Sequence, residues 1–171
     1  RVQRAIAEFE TFIPSIDDTR TGFGLVLEAL ADEPYTGTAT AIMRSLNEKF
    51  PNVPAGQYAL ARLALRSGDF ELALQNAEAA SKSNADWVEA QLLYARTLLV
   101  TGRTDDSLAI AADLAARHDD IEVQLQYAEL LLSAGQPREA ETRLNEIHTD
   151  NPGLPEATRA LAFLAMTEQR T

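Results

Sequence analysis

The chain has 171 residues, of which 46% are hydrophobic and 24% are charged, a composition typical of globular proteins. Its 15 Lys and Arg against 26 Asp and Glu give a formal net charge of −11, which disfavours partners bound through phosphates, such as nucleic acid or anionic lipid. With no cysteine and only 2 histidines, the chain lacks the ligands of common zinc, iron–sulfur and all-histidine sites, so we expect no metal or cofactor. No apolar run approaches the roughly 18 residues of a membrane-spanning helix.

A glycine followed by polar residues and then a small residue recurs along the chain. Gly102 follows Gly68 by 34 residues, and Gly135 follows Gly102 by 33. Each glycine comes after a helical apolar pattern, and glycine favours the left-handed conformation that ends a helix. The sequence therefore predicts a repeated unit of helix, glycine turn, helix and short turn. Small residues that allow close helix contacts stand at positions 61, 95 and 128 and at 73, 107 and 140.

This pattern resembles the tetratricopeptide repeat (TPR) family, whose units are about 34 residues long. The resemblance implies an all-α fold, a right-handed superhelical solenoid of stacked antiparallel helix pairs. One helix pair cannot cover its own apolar face, so stacking is required. In chain order, the single array comprises 1–19 as the second helix of a truncated repeat, four repeats at 20–53, 54–87, 88–120 and 121–154, and 155–171 as the first helix of a further or capping repeat.

The chain departs from the family pattern in two ways. Pro34-Tyr35-Thr36-Gly37 stands in for the glycine turn of the first repeat, and glutamine replaces the usual bulky residue at Gln57, Gln91 and Gln124. Because the chain begins with Arg1 and shows no signal-peptide pattern, we expect it to be part of a longer protein.

Paired carboxylates at 17–18, 105–106 and 119–120 have two interpretations. They could serve as a general acid and base, or they could cap helices, and their place at predicted helix boundaries favours capping. His118 and His148 lie near predicted helix ends, where a structural role is favoured over metal binding. Trp87 could anchor a partner, but packing over the turn below it is favoured. We therefore expect no enzyme activity within this chain.

The resemblance also implies a binding surface, because partners of the family lie in the concave groove lined by the first helix of each repeat. Arg62 and Arg96 occupy equivalent positions one repeat apart, so the groove would be an apolar strip with basic spots. Such a surface suits an amphipathic helix or an extended segment carrying a carboxylate. The alternative is that these arginines pair with Glu89 or Glu129 across the groove and bind nothing. The groove residues are Tyr58, Arg62, Arg66, Glu89, Leu92, Leu93, Arg96, Leu125, Gln126, Glu129 and Arg159.

The leading functional hypothesis is a non-catalytic scaffold that binds a protein or peptide partner. The sequences of the repeats resemble those of bacterial TPR proteins, among them outer-membrane lipoproteins that scaffold a carboxyl-terminal processing protease. That resemblance implies a periplasmic location with a lipid anchor ahead of this segment, and the alternative is the cytoplasm. Two other classes stay open: a structural spacer of an exopolysaccharide-export or pilus-assembly machine, and the recruiting arm of an enzyme whose catalytic domain lies outside this chain. Self-association through apolar ends is also predicted, at Phe9, Phe12, Leu161 and Leu164.

Overall fold

A computed structural model describes residues 2–16, 18–30 and 36–168, which form ten α-helices, a short 3₁₀ helix at Ile13–Ser15 and no β-strand. Asp17, Pro34 and Tyr35, three positions of the sequence predictions, lie outside the described residues. The helices are α1 (Val2–Phe12), α2 (Thr19–Ala29), α3 (Thr36–Lys49), α4 (Pro54–Ser67), α5 (Phe70–Ser83), α6 (Val88–Val100), α7 (Thr104–Arg117), α8 (Ile121–Ser133), α9 (Pro137–Asp150) and α10 (Pro155–Glu168).

The three predicted glycine turns share one backbone geometry. At the end of α4, Gly68 has a φ of 78°, and the N–H of Asp69 donates to the carbonyl of Ala64 at 2.9 Å. Gly102 and Gly135, with φ of 83° and 75°, end α6 and α8 with the same bond across five residues. Glycine has no Cβ to clash in this left-handed conformation. The predicted turns at these three positions are confirmed.

Glutamine at the position of the family's bulky residue makes a different kind of contact. The Gln91 Nε2 donates to the carbonyl of Ser81 in the last turn of α5 at 2.9 Å. The Gln124 Nε2 donates to the carbonyls of Ala115 and His118 at the end of α7, at 2.7 Å and 3.0 Å. The last carbonyls of a helix lack partners within the helix. Each of these glutamines therefore caps the helix that precedes it.

The chain divides into two compact units, Arg1–Thr97 and Leu98–Thr171. In the first unit, α4 packs against α2, α3 and α5, and α1 packs against α3. Phe23 of α2, Met43 of α3 and Leu63 of α4 are fully buried in its core. The central helix of this unit is therefore α4.

Within the first unit, α4 closely approaches its neighbours at Gly56. A Cβ at this position would lie 2.7 Å from the Asn47 Oδ1 and 2.9 Å from two ring carbons of Phe23. The Phe23 ring is fully buried and meets Phe50 edge-on, with ring centroids 6.2 Å apart, so it has little room to move. The absence of a side chain at Gly56 is what permits this approach.

In the second unit, α8 packs against α7 and α9, and α9 packs against α10. Leu144 and Ile147 of α9 share a buried cluster with Ala128 of α8 and Leu164 of α10. Burial of apolar surface from successive helices in one cluster is what stabilises stacked repeats.

The small residues that the sequence predicts at helix contacts are fully buried in both units, as close packing requires. These residues are Ala61, Ala73, Ala95, Ser107, Ala128 and Ala140.

The apolar residues expected to be open at the array ends are more covered than predicted. Phe9 and Phe12 are half-buried against the core of the first unit, because α1 packs on α3. In the second unit Leu161 is half-buried and Leu164 is buried. The exposed apolar side chains of α10 are instead Phe163 and Met166, at 63% and 61% exposure, because residues adjacent to Leu164 point to another side of the helix. Self-association stays a prediction.

Replacing Gly56 by alanine is expected to destabilise the protein by about 1–3 kcal/mol, because the new methyl group would overlap the Phe23 ring and Asn47. The matched control is Gly24→Ala in α2, where an added Cβ meets no atom within 4 Å. This control should be stabilising by up to about 1 kcal/mol through helix propensity. Urea unfolding followed by circular dichroism measures both, and an equal shift of the two midpoints would contradict the close contact.

In the second unit, Ala128→Trp is expected to unfold or strongly destabilise the chain, because Ala128 is fully buried in the core cluster. Overpacking such a contact costs roughly 1–3 kcal/mol or more. Ala116→Trp, at an exposed position of α7, is the control and should leave the melting temperature nearly unchanged. Thermal melts compare the two, and similar melting temperatures would mean that Ala128 is not tightly enclosed.

Candidate functional site

A cleft of about 290 Å³ opens in the first unit between α2, α4 and the start of α6. Arg20 and Phe23 line it from α2, and Tyr58 and Arg62 line it from α4. Each pair is three or four residues apart, so its members share one helix face. Trp87, which directly precedes α6, closes the cleft between them.

Four of these side chains form a continuous stack, which we name the cation–aromatic row: Arg20, Trp87, Tyr58 and Arg62. The Arg20 guanidinium carbon lies 4.7 Å from the centroid of the Trp87 ring. The Trp87 and Tyr58 rings are 5.0 Å apart and tilted by 35°, and the Arg62 guanidinium carbon lies 5.8 Å from the Tyr58 ring. These distances suit cation–π and aromatic attraction, which stabilise both rings and cations at the wall of the cleft.

The cleft is locally basic in an acidic protein. Three arginines and two glutamates line it, whereas the whole chain carries a formal charge of −11. The Arg20 Nη2 lies 3.8 Å from the Glu89 Oε1, and the Arg66 Nη2 donates to the carbonyl of Leu30 at 3.3 Å. Arg62 is exposed and forms no ion pair with any carboxylate in the part of the chain that the structure describes. Its guanidinium is therefore available at the cleft.

The family of the chain follows from two profile matches, both described as tetratricopeptide repeat. One matches residues 64–125 and the other residues 121–164, so together they span more than half of the chain. The chain contains tetratricopeptide repeats. No curated protein matches it in sequence.

Solved structures, two of them described as TPR proteins, share the fold. A thermophilic TPR protein of Thermus thermophilus has a TM-score of 0.73 and 18% identity, over 97% of this chain and 91% of that one. A TPR protein of Parabacteroides merdae has a TM-score of 0.75 and 16% identity, over 98% and 66%. A MamA fragment of Desulfovibrio magneticus has a TM-score of 0.65 and 13% identity, over 89% and 86%. The predicted fold class, an all-α helical-repeat solenoid of the TPR type, is confirmed.

Four of the predicted groove residues line the cleft of the TPR array's first unit: Tyr58, Arg62, Arg66 and Glu89. The alternative, in which the groove arginines pair with Glu89 or Glu129, is not observed for Arg62 among the described residues, and Glu89 lies next to Arg20. For Arg96 the alternative stays a prediction.

Three further groove residues of the first unit lie on α6 beyond the cleft lining. Leu92 and Leu93 are half-buried, and Arg96 is exposed. Their part in binding stays a prediction.

The groove residues predicted in the second unit have separate surroundings. Leu125 is only 8% exposed and belongs to the buried core cluster, so its side chain contributes to packing rather than to an open surface. The Gln126 Nε2 donates to a carboxylate one turn earlier on α8. Glu129 is exposed, and the Arg159 Nη2 lies 3.3 Å from the Glu156 Oε1. Their role in binding stays a prediction.

Sequence reasoning missed the contribution of the first full repeat to the cleft. The TPR register that selected Tyr58 also places Gly24 and Glu28 at groove positions of α2, and both line the cleft. Phe23 lines it too, although it stands at a position that the register assigns to packing. Trp87 was predicted to pack over a turn; it is buried, at 8% exposure, yet it forms part of the cleft wall.

One aspartate in each of two carboxylate pairs caps a helix, as predicted. Asp18 accepts hydrogen bonds from the backbone N–H groups of Arg20 and Thr21 at the start of α2, and Asp120 caps α8 in the same way. Residues 105–106 lie in the first turn of α7. The Thr21 hydroxyl, and after it the N–H of Arg20, hold the pKa of the Asp18 carboxyl below its usual range. This is the role that the helix dipole favours.

The histidines are also at helix ends. The N–H of His118, directly after α7, donates to the carbonyl of Leu114 at 2.9 Å. The Nδ1 of His148, in the last turn of α9, lies 3.5 Å from the Thr158 hydroxyl oxygen.

Across residues 2–16, 18–30 and 36–168, no group of three acidic, histidine or cysteine residues could hold a metal ion. None of the helices in these ranges has the length and hydropathy of a membrane-spanning segment.

Removing the cap with Asp18→Ala is expected to lower the melting temperature at neutral pH, because two N–H groups of α2 lose their acceptor. The lowered pKa makes this stabilisation present above the usual carboxyl range and lost as the pH falls through the folded-state value. Asp18→Asn keeps an accepting oxygen that does not titrate and is the control. Melts across the acid range measure the difference from the wild type, and a difference for Asp18→Ala that does not shrink on acidification would contradict the cap.

Proposed function

We propose that this chain is a non-catalytic protein-interaction scaffold that binds a segment of a partner protein in the cleft of its first unit. TPR repeats generally mediate protein–protein interaction and are typically non-catalytic. The cation–aromatic row is the observation that carries the proposal, because tryptophan, tyrosine and arginine are the side chains most enriched at energetic centres of protein interfaces.

The size of the cleft supports a peptide segment as its ligand. At about 290 Å³ it lies near the lower end of the roughly 300–1,000 Å³ typical of small-molecule pockets, which leaves room for one or two side chains. The half-buried side chains of Leu27 and Tyr58 give it an apolar wall, and the arginines give it polar edges. An anchoring side chain would enter the cleft while the remainder of the segment lies on the helices around it.

The predicted groove residues on α6 extend this proposal. Leu92 and Leu93 provide partly exposed apolar surface, and Arg96 provides an exposed cation, one repeat after Arg62. A partner segment anchored at Trp87 would continue along α6 over these residues.

We further propose that the scaffold works in a bacterial envelope, in the periplasm, as part of a lipid-anchored protein that holds a protease and its substrates together. The resemblance of the repeat sequences to those of bacterial TPR lipoproteins supports this proposal. Fractionation of cells that produce the natural full-length protein tests it: recovery with the outer membrane is expected, and recovery in the cytosol would contradict it.

Filling the cleft tests the binding site directly. Gly24 lines the cleft and has open space around its Cβ position, so Gly24→Phe should occupy the cleft without disturbing the core. Short random peptides displayed on phage would be selected on the wild-type chain. Peptides from this selection would then be synthesised and their affinities measured. Gly24→Phe is expected to weaken their binding at least about tenfold, which is the effect of losing one well-buried anchor side chain.

Two controls sharpen this test. Gly37→Phe adds the same ring at an exposed glycine of α3 that does not line the cleft, and it should bind as the wild type does. Trp87 is the only tryptophan of the chain, so its fluorescence reports on the cleft during titration. Peptides that bind Gly24→Phe and the wild type equally would remove the cleft as the binding site.

A further inference from the structure

The two arginines of the cation–aromatic row have different electrostatic surroundings. Arg20 stacks on Trp87 and lies 3.8 Å from Glu89, so part of its charge is balanced within the protein. Arg62 stacks on Tyr58 and has no carboxylate partner among the described residues. Stacking on a ring restricts a guanidinium without using its N–H donors, which stay free to bind a planar acceptor.

We propose that the cleft selects acidic peptide segments, in which an aromatic or large aliphatic side chain enters beside Trp87 and Tyr58 while a neighbouring Asp or Glu carboxylate binds Arg62. This inference rests on the proposed function, because it names the chemistry of the segment that the same cleft binds. The guanidinium fork matches the two oxygens of a carboxylate, and Arg66 adds a second positive charge at the same edge.

Charge complementarity decides between an acidic and a basic segment. Glu89 is beside Arg20, which leaves Glu28 as the other carboxylate of the lining against Arg62 and Arg66. The overall charge of −11 would repel an acidic segment at long range. That repulsion is screened beyond about 8 Å at physiological ionic strength, whereas contacts inside the cleft are screened much less. The local charges therefore determine the choice once the segment has docked.

The length of the row indicates where the two groups of the ligand lie relative to each other. Tyr58 stands between Trp87 at 5.0 Å and Arg62 at 5.8 Å, so a ring or branched side chain against Trp87 and a carboxylate at Arg62 are separated by about one aromatic ring. Side chains two residues apart in an extended segment, or three or four apart in a helical one, lie on the same face and span such a separation.

The test compares the peptides that different variants select from the same phage library of short random peptides. The wild-type chain is expected to enrich peptides that contain an apolar anchor with Asp or Glu two to four residues away, on the same face of the segment. Synthetic peptides from that selection should bind Arg62→Gln about tenfold more weakly, the loss expected for a charge-assisted hydrogen bond. Replacing their acidic residue by glutamine or asparagine should weaken wild-type binding similarly and have little further effect on Arg62→Gln.

Two further variants exclude non-specific charge effects. Arg44→Gln removes one exposed positive charge from the same unit, outside the cleft lining, and should leave binding unchanged. Arg62→Lys keeps the charge but loses the planar fork, so its affinity should lie between those of the wild type and Arg62→Gln. Affinities follow from Trp87 fluorescence at one fixed ionic strength, so that screening is the same for every variant.

Each contrary result has a distinct meaning. Peptides that Gly24→Phe rejects but that are neutral or basic would overturn the acidic preference and leave the proposed function in place. The absence of any peptide that depends on the cleft would remove the proposed function as well. Reversible dimerisation that Gly24→Phe abolishes would identify a second copy of this chain as the occupant and overturn the acidic-segment proposal.

Discussion

The close approach of α4 to its neighbours at Gly56 is the contact on which the first unit depends. Because no side chain stands there, the ring of Phe23 can lie against the backbone of α4. Phe23 also borders the cleft, so this buried ring supports the cleft wall from the core side. A side chain at Gly56 would overlap the Phe23 ring. The geometry of the cleft is therefore set by the packing of α2 on α4, together with Trp87 in the turn before α6.

The chemistry of the cleft follows from this placement of helices. Aromatic rings and guanidinium groups line its wall, and each cation of the row is held over a ring. This arrangement orders long, flexible arginine side chains before a ligand arrives, which lowers the entropy lost on binding. It also concentrates positive charge in one place on an acidic chain. The site thus combines an apolar anchor point with a specific polar one, the usual composition of a peptide-recognition surface.

The sequence predicted the fold well because the repeats are encoded locally. Glycine at three equivalent positions determines where helices end, and small residues determine where they touch. The site was less predictable because it depends on packing between repeats. Phe23 lines the cleft from a packing position, and Trp87 is at once buried and part of the wall. Leu125 has the register position of a surface residue but is covered by its neighbours. Periodicity along one helix does not say which faces the adjacent helices leave open.

The glutamines that cap preceding helices affect how adjacent helices stay aligned within each unit. A bulky apolar side chain tolerates small rotations, whereas a hydrogen bond weakens steeply when its angle changes. Tilting α6 on α5, or α8 on α7, would pull Gln91 or Gln124 away from its acceptor. The carbonyl group at the end of the preceding helix would then lose this hydrogen bond. Adjacent helices joined in this way, α5 with α6 and α7 with α8, resist tilting for as long as the amide hydrogen bond is kept.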